Sequence, residues 1–173
     1  LFMMAITIGA CTSTVQLPVL YEAPGFTLTN QDGLEVELYD FRDKVVVLDF
    51  IYTRCPDICG ELSFKLQGIW HQLEEELSQD LVLMSVSFDL YDSPEVLKQY
   101  AKIYDVLGWQ FLSGTDEQIS QVKNDYGVVA FQADPDRWEM AHNMVIVLID
   151  RDGMVRKTYA DAYFPEKDMI REL

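Results

Sequence analysis

A run of apolar residues that leads into two cysteines and then into a helical pattern constrains the fold most strongly. Residues 45–52 are mainly β-branched, aliphatic and aromatic, which is typical of a strand buried on both faces. Cys55 and Cys59 follow, and from about residue 60 apolar residues recur every three or four positions between Leu62 and Leu77, which predicts a helix with one core-facing stripe. Two thiols are therefore expected at the carboxyl end of a central strand, where ligands and chemistry collect in open α/β sheets.

The rest of the chain alternates predicted strands and helices around this stretch. The predicted elements are a hairpin (26–43), the strand (45–52), the helix to about residue 77, a strand (81–88), a helix from Ser93, a short apolar stretch (109–112), a helix from Thr115 to Gly127, an irregular polar stretch (128–141), a strand hairpin (144–149 and 154–159) and a last helix from Phe164. The second and third helices carry capping signals, Ser93-Pro94 and the box Thr115–Gln118. This order predicts an α/β fold, a thioredoxin-like layout in which helices flank a central mixed sheet with an N-terminal hairpin.

The first residues indicate export. Residues 1–10 are apolar and uncharged, and the sequence Ile-Gly-Ala-Cys that ends at Cys11 resembles a bacterial lipobox, whose cysteine is lipidated and becomes the mature N-terminus. With no initiator Met or basic region ahead, we expect residues 1–10 to be the end of a signal peptide. Residues 11–23 are then the lipidated cysteine and a tether, and residues 24–173 a single domain facing the periplasm. A transmembrane anchor is the alternative, for which ten apolar residues are too few unless others precede them.

The charge balance excludes one class of partner. The 173 residues carry 29 acidic and 13 basic side chains, a formal net charge of −16. Such a surface repels phosphate backbones, so we expect no nucleic-acid partner. It suits a basic protein surface or cations, although a solvated acidic face explains most of these charges. We expect a monomer.

The cysteine pair favours thiol or metal chemistry. If a helix ran across both residues, the i, i+4 spacing of Cys55 and Cys59 would place both sulfurs on one face. A helix N-terminus favours the thiolate, which is both the nucleophile and the metal ligand. A plain structural disulfide is the alternative outside the cytoplasm, although closing so small a loop adds little stability.

Of the two histidines, only His142 is placed to join the cysteines. His71 lies off the apolar stripe of its helix and is predicted to be a surface residue. His142 directly precedes the strand at 144–149, whose start is expected beside the cysteine helix. Two thiolates and one imidazole suit Cu(I), and with an added ligand Cu(II). Structural zinc would need a fourth ligand, which Asp57 or water would have to supply.

Several motifs extend beyond the cysteines. They are Phe26–Thr29 with Asp32-Gly33, Asp40–Val46, Tyr52–Cys59 with its Cys-Pro-Asp-x-Cys element, Ser87–Asp89, Asp92–Leu97, and His142 before Val145–Asp150 and Asp152-Gly153. Through them the sequence resembles the Sco/SenC family of copper-binding, cytochrome oxidase assembly proteins, from about residue 26 to residue 159. Gly60 departs from the pattern, since many relatives have proline there.

The resemblance implies a thioredoxin-like fold, a membrane tether and a role in maturing the dinuclear copper site of cytochrome c oxidase. It also implies that Cys55, Cys59 and His142 bind copper and that the two cysteines cycle to a disulfide. Other residues near the site have simpler interpretations. Asp89 is read as a strand terminator, Asp92 as a residue before a helix cap and Asp57 as a complement to the helix dipole, while Trp109 and Trp138 are assigned to core or surface packing.

The leading functional hypothesis is a copper metallochaperone that passes Cu(I) to a target's thiolates by ligand exchange, without enzymatic chemistry. The rival is a thiol–disulfide oxidoreductase that reduces cysteines of an oxidase subunit or another periplasmic client. Thioredoxin-type enzymes use CxxC and place a proline where this chain has Asn143-Met144, which argues against the rival. A peroxidase has only Arg54 beside Cys55 in its favour.

Overall fold

The computed structural model describes residues 15–56, 58–77, 79–134 and 139–173. Its elements in chain order are β1 (Tyr21–Glu22), β2 (Thr27–Asn30), β3 (Glu35–Glu37), a 3₁₀ turn (Leu38–Phe41), β4 (Val45–Ile51), α1 (Ile58–Leu77), β5 (Leu81–Ser87), α2 (Pro94–Ala101), β6 (Gln110–Ser113), α3 (Asp116–Asp125), β7 (Ala130–Asp134), β8 (Glu139–His142), β9 (Ile146–Ile149), β10 (Met154–Tyr159) and α4 (Glu166–Glu172). The predicted lipidation residue Cys11, and also Asp57 and Trp138, lie outside the described residues.

Eight of the strands form one mixed sheet in the order β1-β10-β9-β4-β5-β6-β2-β3. Strands β4, β5 and β6 run parallel, and the other pairs are antiparallel. All seven residues of β4 and of β5 are buried, as expected for central strands covered on both faces. The predicted central mixed sheet, flanking helices and N-terminal hairpin (β2–β3) are confirmed.

The sheet separates two hydrophobic cores, because successive residues of a strand point to opposite faces. One core joins the even-numbered residues of β4 to the inner side of α3: Val46, Leu48, Phe50, Ile119, Val122 and Tyr126. The other joins the odd-numbered residues to α1, α2 and α4: Val45, Val47, Ile51, Leu62, Leu66, Leu97 and Met169. Helices therefore cover both faces and leave the ends of β4 and β5 for the site.

Helix α1 carries the predicted stripe, since Leu62, Leu66, Ile69 and Leu73 are at most 6% exposed, while His71 is exposed as predicted. The helix begins at Ile58, so it includes Cys59 and excludes Cys55. The condition under which the i, i+4 spacing alone would place both sulfurs on one helix face is therefore not met. Because Cys55 precedes Pro56, its backbone is disfavoured in the helical region.

The polar stretch 128–141 is not irregular as predicted. Within it β7 and β8 form a separate antiparallel sheet, with Ala130 opposite His142. This pair is largely exposed, so its sequence lacks the apolar alternation that marks a half-buried strand.

Strand β1 lies inside the stretch predicted as a tether. Tyr21 pairs with Val155 at the edge of the main sheet, and Ala23 is 1% exposed. Pairing at a sheet edge depends on backbone hydrogen bonds. A strand of two residues therefore has no side-chain periodicity from which it could be predicted. In the described part of the chain, no helix has the length and apolar character that a membrane span requires.

Candidate metal centre

Asp92 holds the loop that carries Cys55. It is 2% exposed, and its carboxylate accepts hydrogen bonds from Thr53 N–H (2.8 Å), Thr53 Oγ1 (2.6 Å) and Ser87 Oγ (2.6 Å). Because all three donors lie at the carboxyl ends of β4 and β5, this buried carboxylate fastens the cysteine loop to the sheet. The interpretation of Asp92 as a residue before a helix cap missed this role.

Asp89, two residues beyond the end of β5, supports the same loop. Its Oδ2 accepts from Arg54 at 2.6 Å and 3.2 Å, and the guanidinium carbon also lies 5.1 Å from the centroid of the Tyr91 ring. A guanidinium–carboxylate pair with two N–H donors is geometrically specific. Asp89 therefore lies just after the strand, close to where a terminator was predicted, and also orients the residue directly before Cys55.

His142 ends β8 and is oriented by its neighbour. Its Nδ1 lies 3.1 Å from the Asn143 carbonyl oxygen and donates to it, which leaves Nε2 for the cysteines. The Asn143 side chain accepts from Val129 N–H (2.7 Å) and donates to the Gly127 oxygen (2.9 Å). Asn143 thus anchors the histidine to the segment that follows α3. From the sequence, this position was notable only because thioredoxin-type enzymes have a proline there.

The three predicted ligands converge. The Cys55 and Cys59 sulfurs and one ring nitrogen of His142 all lie within 4.8 Å of one another. Bonds of about 2.0–2.3 Å to one ion, as zinc makes, allow two ligands to be about 4.5 Å apart, so small adjustments would close this triad around a metal. Among the described residues, no other group of three His, Cys, Asp or Glu side chains is arranged to hold an ion. Their role as ligands remains a prediction.

The triad is electrostatically asymmetric. A hydrogen bond to Cys55 and then burial raise the pKa of the Cys59 thiol well above its usual range, so Cys59 is a protonated donor. A hydrogen bond to Cys55 also raises the pKa of His142, against the opposing effect of burial. Both groups thus donate to the Cys55 sulfur. Cys55 is partly exposed and Cys59 is 2% exposed, so Cys55 is the more accessible of the two sulfurs.

A buried carboxyl lies behind this site on the central strand. Asp49 is fully buried, and burial raises its pKa to about 7. Its Oδ1 accepts from Ser85 Oγ at 2.5 Å, while Oδ2 has no hydrogen-bond partner among the described residues. Trp109 donates to the same Ser85 hydroxyl at 2.9 Å and is buried in the core, one of the two packing environments predicted for it. In the sequence, this buried carboxyl is indicated by a single acidic residue within an otherwise apolar strand.

A groove of about 510 Å³ with a mixed polar and apolar lining opens beside the centre. Its lining includes Arg54, Met140 and three side chains that are more than half exposed, Leu90, Tyr91 and Phe131. Contiguous exposed apolar surface is a common feature of protein contact sites. The groove therefore extends the exposed side of the centre into a surface that another protein can contact.

The fold and site define a thioredoxin-like domain with a Cys₂His candidate metal centre at the carboxyl end of its central strand. The sequence profile of the SCO1/SenC family matches residues 18–173, and the chain belongs to this family. The chain is 31% identical over 149 residues to the SCO1 protein homolog of Bacillus subtilis, an alignment that covers 82% of this chain and 75% of that protein.

Solved structures with a similar fold include members of the same family. A SCO1/SenC family lipoprotein from Bacillus anthracis superposes with a TM-score of 0.77 at 29% identity, over 88% of this chain and 92% of that one. ScoI of Bradyrhizobium japonicum with copper bound gives 0.75 at 25% identity, over 86% and 95%. BsSco, described as a Sco family cytochrome c oxidase assembly protein with a disulfide switch, gives 0.73 at 30% identity, over 90% and 93%.

Proposed function

We propose that this chain is a copper metallochaperone in which Cys55, Cys59 and His142 hold Cu(I). The observation that carries the proposal is the convergence of two thiols and one imidazole within 4.8 Å. Thiolate sulfur is a soft ligand and imidazole also suits copper, and the small ligand number fits Cu(I) better than structural zinc. The copper-bound Bradyrhizobium relative supports the same cargo.

The two proposed cysteine ligands differ in burial, and this difference bears on copper binding and release. Cys59 is held in the first turn of α1 and is 2% exposed, so it is the fixed ligand. Cys55 is partly exposed, so it is the sulfur that lies on the side from which a partner would approach. Stepwise exchange of one ligand at a time would keep the ion coordinated during transfer.

We propose that the recipient is the copper-site subunit of cytochrome c oxidase or one of its assembly factors. The oxidase assembly role printed for BsSco and the groove beside the centre support this assignment. Lipidation at Cys11 would hold the domain on the envelope membrane, facing the periplasm. The lipobox-like sequence and the Bacillus anthracis lipoprotein relative support the tether.

The experiment is anaerobic loading of the reduced protein with Cu(I), followed by desalting and metal analysis. We expect one copper per chain in the wild type and in the exposed-histidine control His71→Ala. We expect His142→Ala and Cys55→Ser to lose most of it, while His142→Ala still forms the Cys55–Cys59 disulfide. Equal copper retention in His142→Ala would remove this residue from the site. Transfer to a copper-free oxidase-subunit domain then tests delivery.

One observation favours a second function, a thiol–disulfide oxidoreductase. A partly exposed cysteine beside a buried one whose thiol pKa is raised is an arrangement that suits a dithiol reductant, because the exposed sulfur can attack a client disulfide. Little retained copper together with fast reduction of a disulfide-bonded client would favour this function over copper delivery.

A further inference from the structure

Strand β7 presents one of its edges to the groove beside the metal centre. In the described part of the chain only β8 pairs with β7, so one side of the strand is used. The N–H of Asn143 donates to the Val129 oxygen at 3.1 Å, which fixes the hydrogen-bonding register of the pair. Because bonded and non-bonded pairs alternate along an antiparallel ladder, Phe131 bonds to β8 while Ala130 and Gln132 direct their backbone N–H and C=O groups away from it. We call this side the outer edge of β7.

One contact agrees with this direction. Lys123 Nζ in α3 donates to the Ala130 oxygen at 3.2 Å, so this oxygen points away from β8 as the register requires. Among the described residues, no other hydrogen bond reaches the outer edge at Ala130 or Gln132. The N–H of Ala130 and both backbone groups of Gln132 are therefore available up to the bulge that follows Gln132. Unpaired groups of this kind are a template for a strand of another chain.

Exposed apolar side chains flank the outer edge. Three large side chains that line the groove are more than half exposed: Leu90, Tyr91 and Phe131. The groove also reaches Arg54, the residue directly before Cys55, and across the β7–β8 pair Ala130 lies opposite His142. When a strand is added to a sheet edge, backbone hydrogen bonds supply affinity and pockets for alternate side chains supply specificity. The outer edge and the groove offer both beside the predicted ligands.

Charge indicates which kind of segment fits. The two basic side chains of the groove already have partners in the chain. Arg54 donates to Asp89 at 2.6 Å, and Lys123 donates to the Ala130 oxygen. The acidic Asp116 of the groove is exposed, and the whole chain has a net charge of −16. A basic segment is therefore attracted, whereas a second copy of this chain carries the same net charge and is repelled.

We propose that the copper recipient docks by strand addition, with a basic extended segment beside its metal-binding thiols paired to the outer edge of β7 at Ala130 and Gln132. Such docking would hold the recipient's thiols next to Cys55 while ligands exchange. The inference rests on the proposed function for the identity of the recipient, but docking needs no bound copper and is measured without it.

The experiment measures calorimetrically how the reduced, metal-free chain binds a copper-free copper-site domain of a cytochrome c oxidase subunit. Gln132→Pro removes an N–H from the outer edge alone, a position where an edge strand accepts proline. Gln132→Ala is the matched control, because it removes the side chain and keeps the N–H. We expect Kd to rise about tenfold in Gln132→Pro and to stay unchanged in Gln132→Ala. Equal Kd values in all three proteins, the same weakening in both variants, or no binding by the wild type would overturn the proposal.

Amide hydrogen exchange in the wild type tests the same contact without a substitution, and it replaces Gln132→Pro if that variant does not fold. On addition of the domain, the amides of Ala130 and Gln132 should exchange more slowly. The Phe131 amide bonds to β8 in both states and serves as the internal reference. Unchanged exchange at Ala130 and Gln132 in the complex would refute strand addition. Binding should also weaken as the salt concentration rises, and salt-independent binding would contradict a basic segment.

Two further measurements separate the possible failures. Both Gln132 variants keep the three predicted ligands, so each should retain Cu(I) as the wild type does. If the wild type retains no copper but its outer edge is protected by the domain, the metallochaperone is contradicted and the docking is supported. Copper retention without protection would overturn the docking alone. Sedimentation of the chain by itself should show a monomer, and a dimer that Gln132→Pro dissociates would assign the outer edge to a second copy and overturn the proposal.

Discussion

Replacing the buried carboxyl of the central strand should change how stability depends on pH. Burial raises the pKa of Asp49 from 3.8 to about 7 in the folded chain, while the unfolded chain titrates near the lower value. Between these two pH values the folded state binds more protons than the unfolded state. The free energy of unfolding contributed by this group is therefore highest below pH 4, falls as the pH rises to about 7 and then levels off.

The size of this loss follows from the two pKa values. A difference of about three pKa units corresponds to about 4 kcal/mol between acidic and neutral solution. Asp49→Asn keeps the shape and an oxygen that accepts from Ser85 Oγ, but it cannot ionise. Its amide N–H groups would occupy the place of Oδ2, which has no partner among the described residues, at a cost of about 1–3 kcal/mol at every pH.

The assay is urea unfolding of the reduced, metal-free protein from pH 4 to pH 8, followed by circular dichroism. Asp49→Asn should be less stable than the wild type at pH 4 and equal to it or more stable at pH 8. The exposed Asp152→Asn serves as a control that should keep the wild-type pH profile. A parallel pH dependence in Asp49→Asn and the wild type would refute this account of the carboxyl.

Three other substitutions test separate parts of the structure. Asp92→Asn weakens three hydrogen bonds to a buried carboxylate, so we expect a loss of about 2 kcal/mol in urea unfolding and faster alkylation of Cys55. Gly153→Ala, at φ +79°, should cost about 1–2 kcal/mol in the same assay, because this turn needs the left-handed region. Gly60→Ala, where an added Cβ meets nothing within 4 Å, should instead stabilise α1 by up to about 1 kcal/mol and leave Cu(I) retention unchanged.

Most of the fold could be predicted because its signals are local. The apolar runs of β4 and β5, the Ser93 cap and the capping box at Thr115 each depend on neighbouring residues, and the structure contains them all. Elements that depend on distant pairing were missed. Strand β1 has only two residues, and its pairing with β10 connects segments more than 130 positions apart.

The same distinction applies to the site. The spacing of the cysteines and the place of His142 before a strand predicted that the three side chains meet, and the structure brings them together. The partners that hold them were not predictable, since Asp92 binds Thr53 across 39 positions and Asn143 binds Gly127 across 16. The sequence alone does not distinguish an aspartate that only follows a strand from one that hydrogen-bonds a distant loop.

The supports of the three predicted ligands differ in a way that bears on copper release. Cys59 lies in α1 against the core, and the loop of Cys55 is fastened to the main sheet through Asp92. His142 lies on the separate β7–β8 sheet and is partly buried, and its ring packs against Tyr52 and Phe88. Unlike the two cysteines, the histidine is carried by an element outside both the main sheet and α1. During exchange with a partner we therefore expect the imidazole to leave first, while the two sulfurs keep the ion until the incoming thiolates have bound.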